Sequence, residues 1–315
     1  MSLGPDDVRE AAVRIEGHVH RTPIMTCASL DAMAGAELFF KCENLQRIGA
    51  FKIRGATNAV LSLSDEDAAR GVACHSSGNH GQALALAARI RGIEAHVVMP
   101  VNAAAVKRAA VAGYGAHIID CEPTEESRNA TVARVVADTG AVEIHPFDDD
   151  RIIAGQGTAA LELLADGSAL DAIVAPVGGG GLLSGTALAA SGSATQVYGA
   201  EPAAADDAQR SFRTGRLHPS DRPVTVADGL LTSLSPRTLA VIRAGVADIV
   251  TVEEGAIIAA MRLLWERTKL LVEPSAAVGP AAVLAGLVSG ARIGVILSGG
   301  NVDLDRLPWA TGTKT

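Results

Sequence analysis

The chain has 315 residues, 48% of them hydrophobic and 20% charged, a balance ordinary for a globular protein long enough to hold two domains. Its 27 basic residues against 35 acidic ones leave a formal charge of −8, which excludes the basic face that nucleic acid or an acidic membrane surface needs. No apolar run reaches the roughly 18 residues of a membrane span, no signal-peptide core is visible, and Cys27, Cys42, Cys74 and Cys121 form no CxxC pair, so a cytoplasmic protein with free thiols is expected.

In chain order, the segment before Gly17 reads as an amphipathic helix. From about Cys42 onward short apolar runs alternate with helical ones. Strands are expected at Val72–His75, Ala95–Met99, His117–Asp120 and Val142–His145. Helices are expected at Gly78–Ile90, up to Ala110, and at Glu125–Ala137. A second series starts after Pro146, with a helix at Gly155–Leu164. Strands follow at Ala172–Pro176, Val197–Ala200, Ile249–Val252, Leu270–Val272 and Ile293–Leu297. Such alternation predicts an α/β protein whose two domains hold mainly parallel, twisted sheets flanked by helices. The chain is expected to cross between them near Gly49–Ser64 and His145–Gly155.

Five clusters carry candidate chemistry. In KCENLQRIGAFKIRGA (Lys41–Ala56), Lys52 follows a glycine-containing turn and opens a helix. The positive helix end there disfavours its charge and makes a better amine nucleophile for an aldehyde. HSSGNHGQ (His75–Gln82) sits at a strand-to-helix junction, where free backbone N–H groups and polar side chains suit a carboxylate or phosphate. PVGGGGLLSG (Pro176–Gly185) places four glycines between strand and helix. With no Lys-Ser/Thr and no GxGxxG, it fits a single phosphate better than a dinucleotide. LSGGNVD (Leu297–Asp303) ends the last strand. The second, third and fourth clusters all lie at carboxyl ends of strands, where open α/β sheets bind ligands. EPAAADD (Glu201–Asp207) offers two carboxylates to a hard cation, or is simply a solvated acidic helix start. No zinc motif or catalytic serine triad is present.

In this order, from HRTPI (His20–Ile24) to SGGNVD, the clusters resemble the fold-type II pyridoxal-phosphate (PLP) enzymes over nearly the whole chain, and within them the threonine dehydratase and serine racemase group. The resemblance implies the tryptophan synthase β-subunit-like fold, with residues 1–48 plus 148–315 as the large PLP-binding domain and 49–147 as a small, mobile, substrate-closing domain. It implies Lys52 as the lysine bonded to PLP, beside Phe51. Gly178, Gly179, Gly180, Gly181 and Leu182 would hold the phosphate, Asn79 the ring hydroxyl and Ser298 the ring nitrogen. Ser76, Ser77, Asn79, His80 and Arg128 would surround the substrate, with Ser77 as a second acid/base opposite Lys52. Glu201, the Ala205 carbonyl and Asp207 match a divalent-cation site for Mg²⁺, or Ca²⁺ or Mn²⁺.

The implied activity is β-elimination of L-threonine or L-serine to a 2-oxo acid and ammonia. Serine racemase and threo-3-hydroxyaspartate dehydratase are the alternatives. The expected partner is a small amino acid, with no nucleic acid or membrane, and the expected assembly a homodimer. Phe147 stands where some racemases carry a polar residue, which weighs against racemisation. The regulatory extension of biosynthetic threonine dehydratases does not follow SGGNVD, so control by isoleucine is not expected.

Overall fold

A computed structural model describes residues 3–310 of the chain, apart from residues 77, 104, 168 and 222. Its strands form two sheets. The larger has six, in the order β1 (Ile24–Met25), β2 (Glu37–Cys42), β10 (Arg292–Leu297), β7 (Ala172–Pro176), β8 (Gln196–Pro202) and β9 (Asp248–Val252). The smaller has four, in the order β5 (His117–Cys121), β4 (Ala95–Pro100), β3 (Val72–His75) and β6 (Val142–Glu143). All neighbours pair in parallel except β1 with β2. All five residues of β7 are buried, as expected of a strand covered on both faces.

The helices, in chain order, begin with α1 (Pro5–Ile15), α2 (Ala28–Ala34), α3 (Lys52–Leu61), α4 (Asp65–Ala69), α5 (Asn79–Arg91), α6 (Ala105–Gly113) and α7 (Glu125–Thr139). They continue with α8 (Asp150–Asp166), α9 (Gly181–Ala190), α10 (Asp207–Thr214), α11 (Pro236–Gly245), α12 (Glu254–Thr268) and α13 (Pro274–Leu284). Their ends are written in the sequence. Thr124 accepts a bond from Ser127 N–H to open α7, and Asp149 does the same for Arg151 in α8. Each such cap is worth about 1 kcal/mol.

The four-stranded sheet draws only on residues 72–143, and the six-stranded sheet on residues before 43 and after 171. The helices α3 and α8 link the two and cross backbone to backbone: a Cβ built on Gly155 would lie 2.6 Å from the Gly55 Cα. Beside that crossing sits a buried ionic network. Arg54 grips Glu43 at 2.7 Å and Glu162 at 2.8 Å, and Lys41 meets Glu162 at 2.6 Å. Removing one member of such a group strands its partner and costs about 3–5 kcal/mol. The network therefore locks α3, which begins with Lys52, to β2 and α8.

Two expectations fail. Leu270–Val272 is not a strand. Its carbonyls are taken by side chains, Leu271 O by Asn44 Nδ2 at 3.1 Å and Val272 O by the Trp265 indole N–H at 3.1 Å, and Pro274 at once opens α13. The helix expected at Gly155–Leu164 starts earlier, at Asp150, because Gly155 and Gly157 serve close helix packing and are not a boundary. All four cysteines are free thiols. Among the described residues no helix is long and apolar enough to cross a membrane.

Candidate active site

Lys52 is the first residue of α3, and its place is set by the end of β10. Phe51 N–H donates to Ser298 O at 3.0 Å, and Ala50 bridges Gly299. The Lys52 ammonium donates to Pro146 O at 2.9 Å. Burial lowers its pKa to about 8, so about a tenth of the amine is neutral at pH 7, far more than for an ordinary lysine.

Lys52 opens onto a cavity of about 310 Å³ between the two sheets. The sequence-derived residues Phe51, Ser76, Asn79, His80, Arg128, Gly178 to Leu182 and Ser298 all line it. Ser77 lies outside the described residues. Three features come together at the walls. The glycine run leads from β7 into α9, whose N-terminus has no side-chain cap, so its first backbone N–H groups are free for an anion. Gly180 has φ +87°, and a Cβ on Gly179 would lie 2.2 Å from the Phe147 ring, so no larger residue fits either position. Opposite, Gly78 starts α5 without a side-chain cap, giving a second cluster of donors.

The cavity's charges are unevenly matched. His80 donates from Nε2 to Ile144 O at 3.0 Å when neutral, and burial and the nearby Lys52 push it down to about 3. Burial and His75 lower His145 to about 4. Its Nδ1 accepts from Asp148 N–H at 2.9 Å, which puts the proton on Nε2. Both rings are neutral near pH 7. Lys107 pairs with Asp228 across the cleft at 2.8 Å. Arg128, near the start of α7, is different: its buried Nε has no hydrogen-bond partner among the described residues. A guanidinium left so in a cavity calls for an acceptor group from outside the chain.

Sequence reasoning missed Glu273, Lys107 and Asp228 as cavity residues. Glu273 is pushed up to about 7 by burial and then by Asp228, and it accepts from Asn79 Nδ2 at 3.0 Å. Its sequence signal was the segment WERTKLLVEP (Trp265–Pro274), which resembles serine racemases but was given no site role. Lys107 and Asp228 had none, since their partnership spans 121 residues.

The remaining predicted residues form a separate cluster. Glu201 ends β8 with its carboxylate bonded to Ala208 and Gln209 N–H, each at 2.9 Å, and burial raises it to about 8. Asp207 opens α10, is 1% exposed, and among the described residues neither carboxylate oxygen has a hydrogen bond of normal geometry. Burial raises it to about 6, opposed first by the neighbouring Ser220 hydroxyl. Among the described residues no group of three or more His, Cys, Asp and Glu side chains converges as a metal site. A buried, poorly satisfied carboxylate such as that of Asp207 is nonetheless what a hard cation would suit.

Comparison with known proteins gives the chain a family. The family model described as "Pyridoxal-phosphate dependent enzyme" matches residues 15–299. The β-hydroxyaspartate dehydratase of Paracoccus denitrificans is 50% identical over 308 residues, covering 96% of this chain and 98% of its own length. The serine racemase of Dictyostelium discoideum is 45% identical, covering 96% of this chain and 95% of its own. The solved structure of maize serine racemase superposes with a TM-score of 0.95 at 46% identity, covering 99% of this chain and 97% of that one.

Proposed function

Since the chain belongs to the pyridoxal-phosphate dependent enzymes, we propose that it removes water and ammonia from a β-hydroxy amino acid bearing a second carboxylate, 3-hydroxyaspartate, in preference to threonine or serine. The observation that carries this is Arg128 in the cavity that Lys52 opens onto, its buried Nε without a hydrogen-bond partner among the described residues. The 50% identity to a β-hydroxyaspartate dehydratase supports it.

The residues present fit PLP: a neutral-leaning lysine, an uncapped helix start behind a glycine loop, and a hydroxyl at a strand end share one cavity. Bound there, PLP supplies the electron sink that makes the substrate's Cα–H acidic. The chain does the rest. The α9 N-terminus and Gly178 to Leu182 hold the phosphate, and Ser298 would meet the ring nitrogen as a neutral hydroxyl. Ser76, Asn79 and the start of α5 hold the α-carboxylate. Arg128 takes the distal carboxylate. Lys52, as a neutral amine, removes the Cα proton, and the β-hydroxyl leaves as water with a proton from a nearby acid. Hydrolysis then returns that water and releases ammonia and a 2-oxo acid. Incubating the PLP-loaded protein with 3-hydroxyaspartate, threonine and serine, and following 2-oxo acid and amino-acid chirality together, tests the reading. Racemisation of serine faster than any 2-oxo acid release would replace it with a racemase.

The lowered Lys52 pKa has a sign that can be checked. Only the neutral amine attacks an aldehyde, so the rate at which apoprotein takes up PLP should climb with pH through a midpoint near 8 and then level off. A lysine at its ordinary 10.5 would keep accelerating well past that point.

We also assign Glu201, the Ala205 carbonyl and Asp207 to a divalent cation such as Mg²⁺. A cation bound only by the native state stabilises it in proportion to RT ln(1 + [L]/Kd), about 2.7 kcal/mol at a hundredfold excess over Kd. EDTA should therefore lower the thermal midpoint by several degrees and Mg²⁺ restore it, while Asp207→Asn should abolish the response. A midpoint indifferent to chelator would remove the cation from this site.

A further inference from the structure

The face of the small sheet that carries Ala73 and Val98 is covered by Val132 and Val135 of α7. Two residues beyond Ala73, on the same face of β3, comes His75; one helical turn before Val132 comes Arg128. α7 follows β5 and leads back to the start of β6, and both strands run parallel to β3 within one sheet. The first turns of α7 therefore lie over the end of β3, and Arg128 over His75. Both residues line the cavity. On the other side β6 pairs Glu143 with Ala73, so the chain just beyond β6 brings His145 alongside His75, the two rings edge to face with centroids 6.1 Å apart.

The three histidines gathered here are not equivalent. His80 donates to Ile144 O and His145 accepts from Asp148 N–H, so the chain itself fixes both rings. The His75 imidazole makes no hydrogen bond among the described residues. Burial, and then the Arg128 guanidinium, hold it below its ordinary 6.5, opposed by Glu125 in the first turn of α7. His80 and His145, which also face it, are neutral near pH 7, Val98 beside it on β4 carries no charge, and Glu143 lies one row further down the sheet. A neutral imidazole offers one N–H, an imidazolium two and a charge. A carboxylate set between His75 and Arg128 reverses the balance: it offsets the repulsion from the guanidinium and pairs with the imidazolium.

We propose that His75 joins Arg128 at the distal carboxylate of the substrate, and that the cavity takes up a proton on His75 when a dicarboxylate binds. This deepens the reading that the substrate is a dicarboxylate, and rests on it. His75 sets specificity by touching the substrate, while Lys52 remains the base. A substrate with a single carboxylate leaves His75 neutral, so the advantage of the dicarboxylate is largest in mild acid and fades as pH rises.

Succinate is the probe: it has the two carboxylates and carbon chain of 3-hydroxyaspartate but no amine or hydroxyl, and so cannot react. Butyrate, with one carboxylate on a chain of the same length, is the comparison. Calorimetry on the PLP-loaded protein, in buffers of different ionisation enthalpy, measures affinity and counts protons together. Succinate should bind with uptake of about one proton near pH 6.5, and its affinity should fall about tenfold by pH 8.5, the size of one charge-assisted hydrogen bond. Butyrate should show neither effect. In His75→Gln, which keeps a donor but cannot titrate, the fall should shrink to less than about threefold. In the unaltered protein the His75 ring protons should titrate at higher pH with succinate than with butyrate, and this NMR measurement decides the matter if the variant does not fold. Glu273, on the opposite wall and pushed up to about 7, is the rival site for the proton. A full tenfold fall retained in His75→Gln, or a His75 titration that succinate does not move, would overturn the proposal and leave Arg128 as the sole partner of the distal carboxylate. Succinate binding no tighter than butyrate at either pH would remove the dicarboxylate reading itself, and this inference with it.

Discussion

Lys52→Ala is expected to yield a folded protein with no visible absorbance from bound cofactor and turnover reduced by at least ~10³-fold, since both a covalent anchor and a general base are lost. Folding should survive. Among the described residues Lys52 makes one hydrogen bond, to Pro146 O, and its burial disfavours the charged form, so trading it for alanine removes an unfavourable charge as well as a contact. The anchoring of α3 lies elsewhere, in Arg54, Glu43, Glu162 and Lys41, which the substitution leaves alone. Added primary amines should restore part of the activity by supplying the missing base in solution. Full activity in the alanine variant, or an unaltered visible band, would place the chemistry on another residue. Loss of the fold would instead show that the Pro146 contact matters more than its single bond suggests, and circular dichroism separates that case from the expected one.

The parts of this site that could be read from sequence are those that local backbone chemistry determines. A strand of Ala-Ile-Val-Ala-Pro running into four glycines and an apolar helix can form little other than an uncapped helix N-terminus, and α9 begins that way. His75 to Gln82 was similarly legible as a strand end passing into a helix. Lys52 was placed correctly at a helix start, although the cause of its lowered pKa proves to be burial, which no local pattern reveals. What stayed hidden depends on partners distant in the chain. Glu273 is held by Asn79, 194 residues away, and Lys107 by Asp228. Leu270–Val272 has the composition of a strand, yet Asn44 and Trp265 claim its carbonyls. Arg128 stood out in the sequence only by resemblance; that its Nε lacks a partner is a property of the folded cavity.

That missing partner makes Arg128 the sharpest test of substrate choice. Truncating one member of a desolvated, hydrogen-bonded charge pair costs about 2–5 kcal/mol, so Arg128→Ala should lower kcat/KM for 3-hydroxyaspartate by roughly 10²–10³-fold. Serine and threonine have no distal carboxylate to lose. For them the substitution removes a guanidinium that is poorly satisfied in the cavity, and kcat/KM should change by less than about tenfold in either direction. Arg128→Lys should fall between, keeping the charge but losing the planar fork that grips two oxygens together. His75 offers an independent readout. Arg128 is one of the causes, after burial, that lower its pKa, so the His75 imidazole should titrate at higher pH in Arg128→Ala, and NMR of the ring protons would follow it. If serine and threonine turnover instead falls as steeply as that of 3-hydroxyaspartate, Arg128 binds the α-carboxylate that all three substrates share. The preference for a dicarboxylate would then have to be abandoned, while the assignment of Lys52 would stand.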